Sequence, residues 1–524
     1  MLLVFYFLLS LFICWVCGVF CVSGEVSLMN LDLASLQFNF LFDDISCICL
    51  FMLFCCGSLA LFYCFHYLSD SLSAWNLFYL IVWFLMIMSG LFFSSSFILT
   101  LIFWEYLGLV SFFLILFYSN SSSFRAALIT LFVSRFGDVS LFVLVMLFSS
   151  CFSYSGFSSL LLFLLIIITK SACFPFISWL LEAMRAPTPV SSLVHSSTLV
   201  AVGMWFLLRY NYLIEGYVFW CLVWICLSTI FITSLSSLFY LDLKKIIALS
   251  TCNNISWCIL FFVVSDDLFL SLIQLVTHGI CKCYLFMSVG DLMLSSGSSQ
   301  NFLGVYLSRY NGLFLPIVQS ILVLCLSGVP FMGVFFSKHY FFSCILYSGG
   351  GGVVLLLLLC MFLSYVYSVR FCMLLLSSIS GLSLGVFSIF LLAGSLVFLG
   401  TVINYSWSFC VLEDYVLSEF ESLMILLIQG LGCIGGVVCY FFLMGGGWWS
   451  SLLWGCDIFV SAAYYYFVDI VFVSIISIYR WEFYLFHKFP FFGGVFLKYM
   501  SSLFSLNMLI LGLLFFLIIS LFLC

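Results

Sequence analysis

Charge is what this chain has least of. Only 6% of its 524 residues are Asp, Glu, Lys or Arg, while 66% are hydrophobic and the mean hydropathy is +1.35. Soluble domains carry about a quarter charged residues, so a soluble fold is excluded. No stretch is polar enough to form a separate soluble domain. The 14 Lys and Arg are scattered and the formal net charge is −6, which argues against nucleic-acid binding. Redox motifs are missing too. There is no GxGxxG after a strand, no paired CxxC cluster and no Walker loop. The 25 cysteines show no Cys–His metal spacing, and Cys55-Cys56 is their only adjacent pair. Dispersed through apolar runs, they read as small hydrophobes. The strict alternation of a membrane β-barrel is absent as well.

What is present is a series of apolar runs of about 20 residues, the mark of a polytopic all-α membrane protein. The spans read as 2–22, 45–68, 75–95, 97–118, 126–149, 158–181, 190–209, 217–240, 244–264, 268–294, 313–347, 351–376, 380–400, 422–444 and 503–523, fifteen in all. The first, Met1–Phe20, lacks a basic start and a small-residue cleavage site, so it reads as a retained helix. Pro175 interrupts the sixth span. Pro330 and Gly333 break the eleventh.

Loop charges support this reading. With the N-terminus inside, the inside loops hold Arg125, Arg185, Lys244, Lys245, Arg309, Arg370, Arg480, Lys488 and Lys498. The outside loops hold Arg209 alone, together with Glu25, Asp32, Asp43, Asp44, Glu215, Asp266, Asp267, Glu413, Asp414, Glu419 and Glu421. This segregation is what the positive-inside rule requires. Segment 450–500 mixes Trp, Tyr and Phe with Asp457, Asp469, Arg480, Glu482, His487 and Lys488, as a helix lying along the inside face would. The alternative is an ordinary span near 458–479, which would move the C-terminus inside. The chain divides into N-terminal spans 1–95, a core 96–400, a further span with the lateral helix 401–502, and a final anchor 503–524.

Few ionisable residues remain at membrane depth: Glu105, Arg135, Asp138, Lys170, Lys282 and Lys338, with His195, His278 and His339. Each is costly in lipid and must face another polar group, water or protein interior. Lys170 follows the apolar run Leu160–Ile168, and Glu105 is its expected partner. The alternative is a static ion pair. Arg135 and Asp138, at i, i+3, can pair with each other; His278 and Lys282, at i, i+4, share one helix face. A backbone-satisfied histidine is the bland reading of His278. Lys338 follows the break in the eleventh span, and broken backbone is tolerated only beside a cavity. Breaks beside both Lys170 and Lys338 suggest two related half-channels. A lysine held charged by a carboxylate releases its proton when that attraction weakens, and neighbouring groups then titrate together. The pattern is that of a driven proton path.

The run KSACFPFISWLLEAMRAPTPVSSLVHSSTLV, from Lys170 to Val200, resembles the signature of the antiporter-like membrane subunits of respiratory complex I. Its His-Ser-Ser-Thr favours the subunit 5 branch over branches 4 and 2. WEYLGLVSFF (Trp104–Phe113), QLVTHGICKCYLF (Gln274–Phe286) and SGVPFMGVFFSK (Ser327–Lys338) agree. The resemblance covers about 100–380. It implies that Glu105 and Lys170 interact, that His195 lies near Lys170, that His278 and Lys282 form a central relay, and that Lys338 leads outside, with Asp138 supporting. It implies partners in the subunit 4 and subunit 2 paralogues and in lipids, with NADH, FMN, iron–sulfur clusters and ubiquinone held by other subunits and no cofactor here. It implies the mitochondrial inner membrane, and a lateral helix along neighbouring subunits. Gln274 and His339 depart from it, standing where relatives often have histidine and aspartate. The family usually has one more span ahead of the glutamate helix. A subunit of a multisubunit cation/proton antiporter is the alternative, and a membrane scaffold with static salt bridges is a third.

Overall fold

A computed structural model describes residues 24–30, 37–68, 73–149, 157–214, 216–295, 300–301, 314–330, 332–348, 351–377, 419–442 and 453–496. The expected spans 2–22, 380–400 and 503–523 lie outside these residues, as do Arg309 and Lys498. The other twelve expected spans all fall on helices. They are α1 (Asp44–Tyr67), α2 (Ser73–Phe93), α3 (Phe97–Leu116), α4 (Ser121–Ser149), the broken pair α5 (Phe157–Lys170) and α6 (Ser178–Ala183), and the pair α7 (Thr188–Leu193) and α8 (Ala201–Arg209). Then come α9 (Gly216–Ser237), α10 (Leu243–Ser265), α11 (Leu268–Ser295), the broken pair α12 (Phe314–Ser327) and α13 (Phe335–Ser348), α14 (Gly351–Leu376) and α15 (Glu419–Phe442). A last helix, α16, runs Trp454–Phe496 without interruption for 43 residues. Among the described residues, 11 helices are long and apolar enough to cross a membrane, Cys456–Trp481 within α16 included. By contact the chain divides into two units, 1–461 and 462–524.

Hydropathy alone does not separate inner from outer helices here, because nearly every helix is apolar all round. Polar content does. Thr188–Arg209, with its serines, threonines and His195, is 100% buried, and Leu268–Leu294, with Gln274, His278 and Lys282, is 89% buried; Gly351–Leu376 is 44% buried. Hydroxyls, amides and lysines cannot face lipid without cost, so their helices are driven to the centre. There α11 packs on α1, α7 and α10, while α4 packs on α3, α5 and α6.

The structure adds one element that the span count leaves out. β1 (Gly24–Asn30) and β2 (Gln37–Phe42) form an antiparallel hairpin, with Gly24 opposite Phe42 and Asn30 opposite Gln37. Asn39 O accepts from Ser95 N at 3.1 Å and Ser95 Oγ at 2.9 Å, which ties the hairpin to the turn between α2 and α3. Asp43 and Ser46 close a capping box at the start of α1. Arg209 pairs with Asp43 at 2.5 Å and donates to Phe92 O at 3.1 Å, joining the outside ends of α8, α1 and α2.

Two cations counted with the inside loops are buried at helix ends. Arg370 donates to Ser237 O at 3.1 Å and Tyr240 O at 3.3 Å, and Lys244 donates to Ala186 O at 3.3 Å. Ser237 is the last residue of α9, and the last carbonyls of a helix lack intrahelical donors and carry partial negative charge, so Arg370 is stabilised there even when buried.

Candidate functional site

The site begins where α5 stops. Lys170 is its last residue. Ala172 takes a positive φ of 53°, and the chain runs without helix to Ser178. Trp179 Nε1 donates to Thr169 O at 3.1 Å, so α6 folds back against the frayed end of α5. The break leaves the ammonium of Lys170 at a helix C-terminus, where a cation is favoured. Its side chain is 2% exposed.

The partner of Lys170 is Asp138, not Glu105. Lys170 Nζ lies 3.5 Å from Asp138 Oδ1, and Asp138 is 1% exposed. Glu105 instead bonds Arg135, whose guanidinium also lies 3.4 Å from Asp138 Oδ2. The reason is geometric. Arg135 and Asp138 sit one turn apart on α4, with Asp138 turned to α5 and Arg135 reaching α3. Gly137 allows this. A β-carbon at position 137 would collide with Thr169 Oγ1, so only glycine lets α4 approach α5 closely enough at this level. The result is one charged line, Glu105–Arg135–Asp138–Lys170. Its inner half is buried and its outer half is about 40% exposed.

Trp104 was not foreseen as part of the site, although it adjoins Glu105. Its ring lies 5.0 Å from Lys170 Nζ, and an ammonium over an indole face is held by the ring's negative face. Trp104→Leu is expected to destabilise the protein by about 1–2 kcal/mol. Thermal unfolding of the purified variant measures this; an unchanged midpoint would contradict a cation–π contribution.

His195 lies at a widened turn. Residues Val194–Thr198 are a π-helical segment between α7 and α8, a local irregularity that sequence periodicity does not announce and that often marks functional sites. His195 is buried, neither ring nitrogen has a protein partner, and its ring lies 6.3 Å from that of Trp179. It lines, with Lys170, Thr130, Ser134, Thr169 and Trp179, a cavity of about 20 Å³, room for one water molecule. The structure brings His195 and Lys170 to one cavity.

The central group is built on α10 and α11. Lys282 donates to Ser250 Oγ, and both line a second cavity of about 10 Å³ with Asn254, Ser327, Tyr367 and Ser368. His278 stands one turn away, buried, with Nε2 unpartnered. Among the described residues no carboxylate forms an ion pair with Lys282 or Lys338. Lys338 donates to Ser327 O at 2.7 Å, the carbonyl freed where α12 ends, and lies 5.7 Å from the ring of Trp257. Ser327 therefore touches Lys338 and lines the cavity of Lys282. Gln274 Oε1 accepts from Ser337 Oγ at 2.6 Å, linking α11 to the residue before Lys338. His339 sets its ring 5.6 Å from that of Phe335.

Chemically, the arrangement holds three buried ammonium groups in three different ways: a carboxylate, a hydroxyl, and a backbone carbonyl. Lys170 and Lys282 each line a small cavity. Nothing in the set resembles a metal centre, since among the described residues no three His, Cys, Asp or Glu could hold an ion.

The chain matches the family model described as NADH:quinone oxidoreductase/Mrp antiporter, TM, over residues 94–366. It is 39% identical to NADH-ubiquinone oxidoreductase chain 5 of Caenorhabditis elegans over 334 residues, 60% of this chain and 62% of that protein. It is 33% identical to the protein of the same name from Anopheles arabiensis over 365 residues, 64% of this chain and 92% of that one. The chain thus spans about three-fifths of the length of the first of these relatives. Among solved structures, it is similar to a chain of the Mrp complex from Dietzia sp., with TM-score 0.72, 21% identity, and coverage of 94% of this chain and 59% of that one. A chain of the archaeal membrane-bound sulfane sulfur reductase matches with TM-score 0.68 at 16% identity, covering 84% of this chain and 92% of that one. At such identities these likenesses speak for the fold.

Proposed function

Because the chain belongs to the NADH:quinone oxidoreductase/Mrp antiporter membrane family, we propose that it is a proton-translocating membrane subunit of NADH:ubiquinone oxidoreductase. Its own residues carry no electrons. They move protons through a buried line of lysines, driven by oxidation of NADH elsewhere in the complex. The observation that carries this reading is the buried Asp138–Lys170 pair at a helix break, continued outward by Arg135 and Glu105.

In this reading Asp138 holds the Lys170 proton. Pulling Arg135 towards Glu105 or towards Asp138 changes the field that Lys170 feels, and a charge that arrives at Glu105 is passed inward one ion pair at a time. When the hold on Lys170 weakens, its proton can leave by way of the cavity shared with His195. His278 and Lys282 take the middle step, and Lys338, which forms no ion pair with a carboxylate among the described residues, delivers it outward. Glu105, being half exposed, meets a neighbouring subunit, for which the subunit 4 and subunit 2 paralogues are the fitting partners. NADH, FMN, iron–sulfur clusters and ubiquinone belong to other subunits. Helix α16, Trp454–Phe496, is the lateral helix along those neighbours, and the compartment is the mitochondrial inner membrane.

Purification of the native complex tests this. Flavin and iron–sulfur subunits are expected to co-purify with the chain, and NADH oxidation in vesicles should acidify one side. Co-purification with antiporter subunits alone, without flavin or iron, would overturn the assignment to complex I and favour a multisubunit cation/proton antiporter.

A further inference from the structure

The inside ends of α1 and α11 bring together two ionisable side chains that the relay does not use. His66 Nε2 lies 3.3 Å from Asp291 Oδ1; the histidine is 45% exposed and the aspartate 10%. The pair therefore reaches from the surface into the protein. Behind it, Tyr63 Oη and Thr188 Oγ1 both lie against Gly290, the neighbour of Asp291. Both residues are buried. The titratable groups around the pair are Tyr63 and Tyr67 on α1 and Tyr284 on α11; α7 contributes hydroxyls and no titratable residue.

Thr188 is the first residue of α7. Ser191 and Ser192 follow it at i+3 and i+4 on one face of α7, and His195 lies in the π turn that continues the helix. All are buried. Ser191 Oγ donates to Thr188 O at 3.0 Å and Ser192 Oγ to Pro189 O at 2.8 Å, so each oxygen keeps lone pairs free to accept a proton. The stripe ends at His195, whose two unpartnered nitrogens border the cavity of Lys170. Ser191 and Ser192 are thus satisfied by their own helix, while the groups left with an unmet burial cost are at the two ends of the stripe, Thr188 Oγ1 beside the exposed ionisable pair and His195 at the cavity.

We propose that His66 and Asp291 form the inside proton-loading site of the Lys170 half of the molecule. The proposal rests on the relay reading above. A proton from inside water binds His66 Nδ1. The Nε2–H bond breaks as an O–H bond forms on Asp291. The carboxyl proton then passes to the hydroxyls of Tyr63 and Thr188 and along α7 to His195, and the carboxylate is restored. No electrons change hands.

The test compares His66→Lys, Asp291→Asn and Lys170→Met in the assembled complex, reading NADH-driven proton pumping per assembled complex. His66→Lys keeps an ion pair with Asp291 but holds its proton at neutral pH. The loading site predicts that His66→Lys and Asp291→Asn both slow pumping roughly tenfold or more, with a larger solvent deuterium effect than the wild type. A pair that merely pins two helix ends predicts a wild-type rate for His66→Lys, and that result overturns the proposal. Should Asp291→Asn fail to assemble, His66→Lys decides alone. Slow Lys170→Met beside a wild-type His66→Lys sinks only the loading site. Lys170→Met at wild-type rate sinks the relay itself.

Discussion

Replacing Asp138 with alanine is expected to abolish proton translocation and to destabilise the protein by about 3–5 kcal/mol, the cost of stripping the partner from a buried charge. Among the described residues, Lys170 would keep the ring of Trp104, 5.0 Å away, and Arg135 would keep Glu105. The double substitution Asp138→Ala with Lys170→Met removes both charges. It should recover most of the lost stability, because replacing a buried pair by apolar groups is far less costly than orphaning one member. It should recover no translocation. Thermal unfolding of the assembled variants measures the first statement and pumping measures the second. Additive stability losses in the double variant would contradict the pairing of Asp138 with Lys170.

Gly333→Ala should be among the most damaging single-methyl changes at the described glycines. Gly333 has φ +53°, and a β-carbon there would collide with the carbonyl of Cys325. That carbonyl accepts from Val334 N at 3.1 Å, the bond that closes the break between α12 and α13. Left-handed backbone costs a non-glycine residue about 1–2 kcal/mol before the collision is counted. The total loss is therefore expected to exceed about 2 kcal/mol, with Lys338 displaced from Ser327 O and pumping lost. Gly351→Ala is the control. Nothing lies within 4 Å of its β-carbon position, and helix propensity favours alanine. Equal unfolding midpoints for the two variants would contradict the role given to Gly333.

The large features of the fold were legible because membrane physics leaves few options. Lys170, Lys282 and Lys338 stood out because a lysine inside an apolar run is costly wherever it points. Pro175, Pro330 and Gly333 announced the two breaks. Partner choice was not legible. Glu105, Arg135, Asp138 and Lys170 allow more than one pairing, and only the close approach of α4 and α5 at Gly137 selects Asp138 for Lys170. The π turn at His195 was hidden because one extra residue per turn leaves no mark on hydropathy. The hairpin was readable in part: Gln37-Phe38-Asn39-Phe40 alternates polar and apolar as a strand does, but the count of long apolar runs passes over it. His66 and Asp291 gave no signal at all, being 225 positions apart and each at a helix end where a charged residue is ordinary.

The central claim is that Lys170 carries the proton. The measurement is the number of protons pumped per NADH oxidised by complex assembled with Lys170→Met, alongside the oxidation rate itself. A lysine that relays protons predicts, per assembled complex, oxidation slowed roughly a hundredfold or more, or fewer protons pumped per NADH if oxidation continues. Wild-type rate and wild-type proton yield in that variant would contradict it.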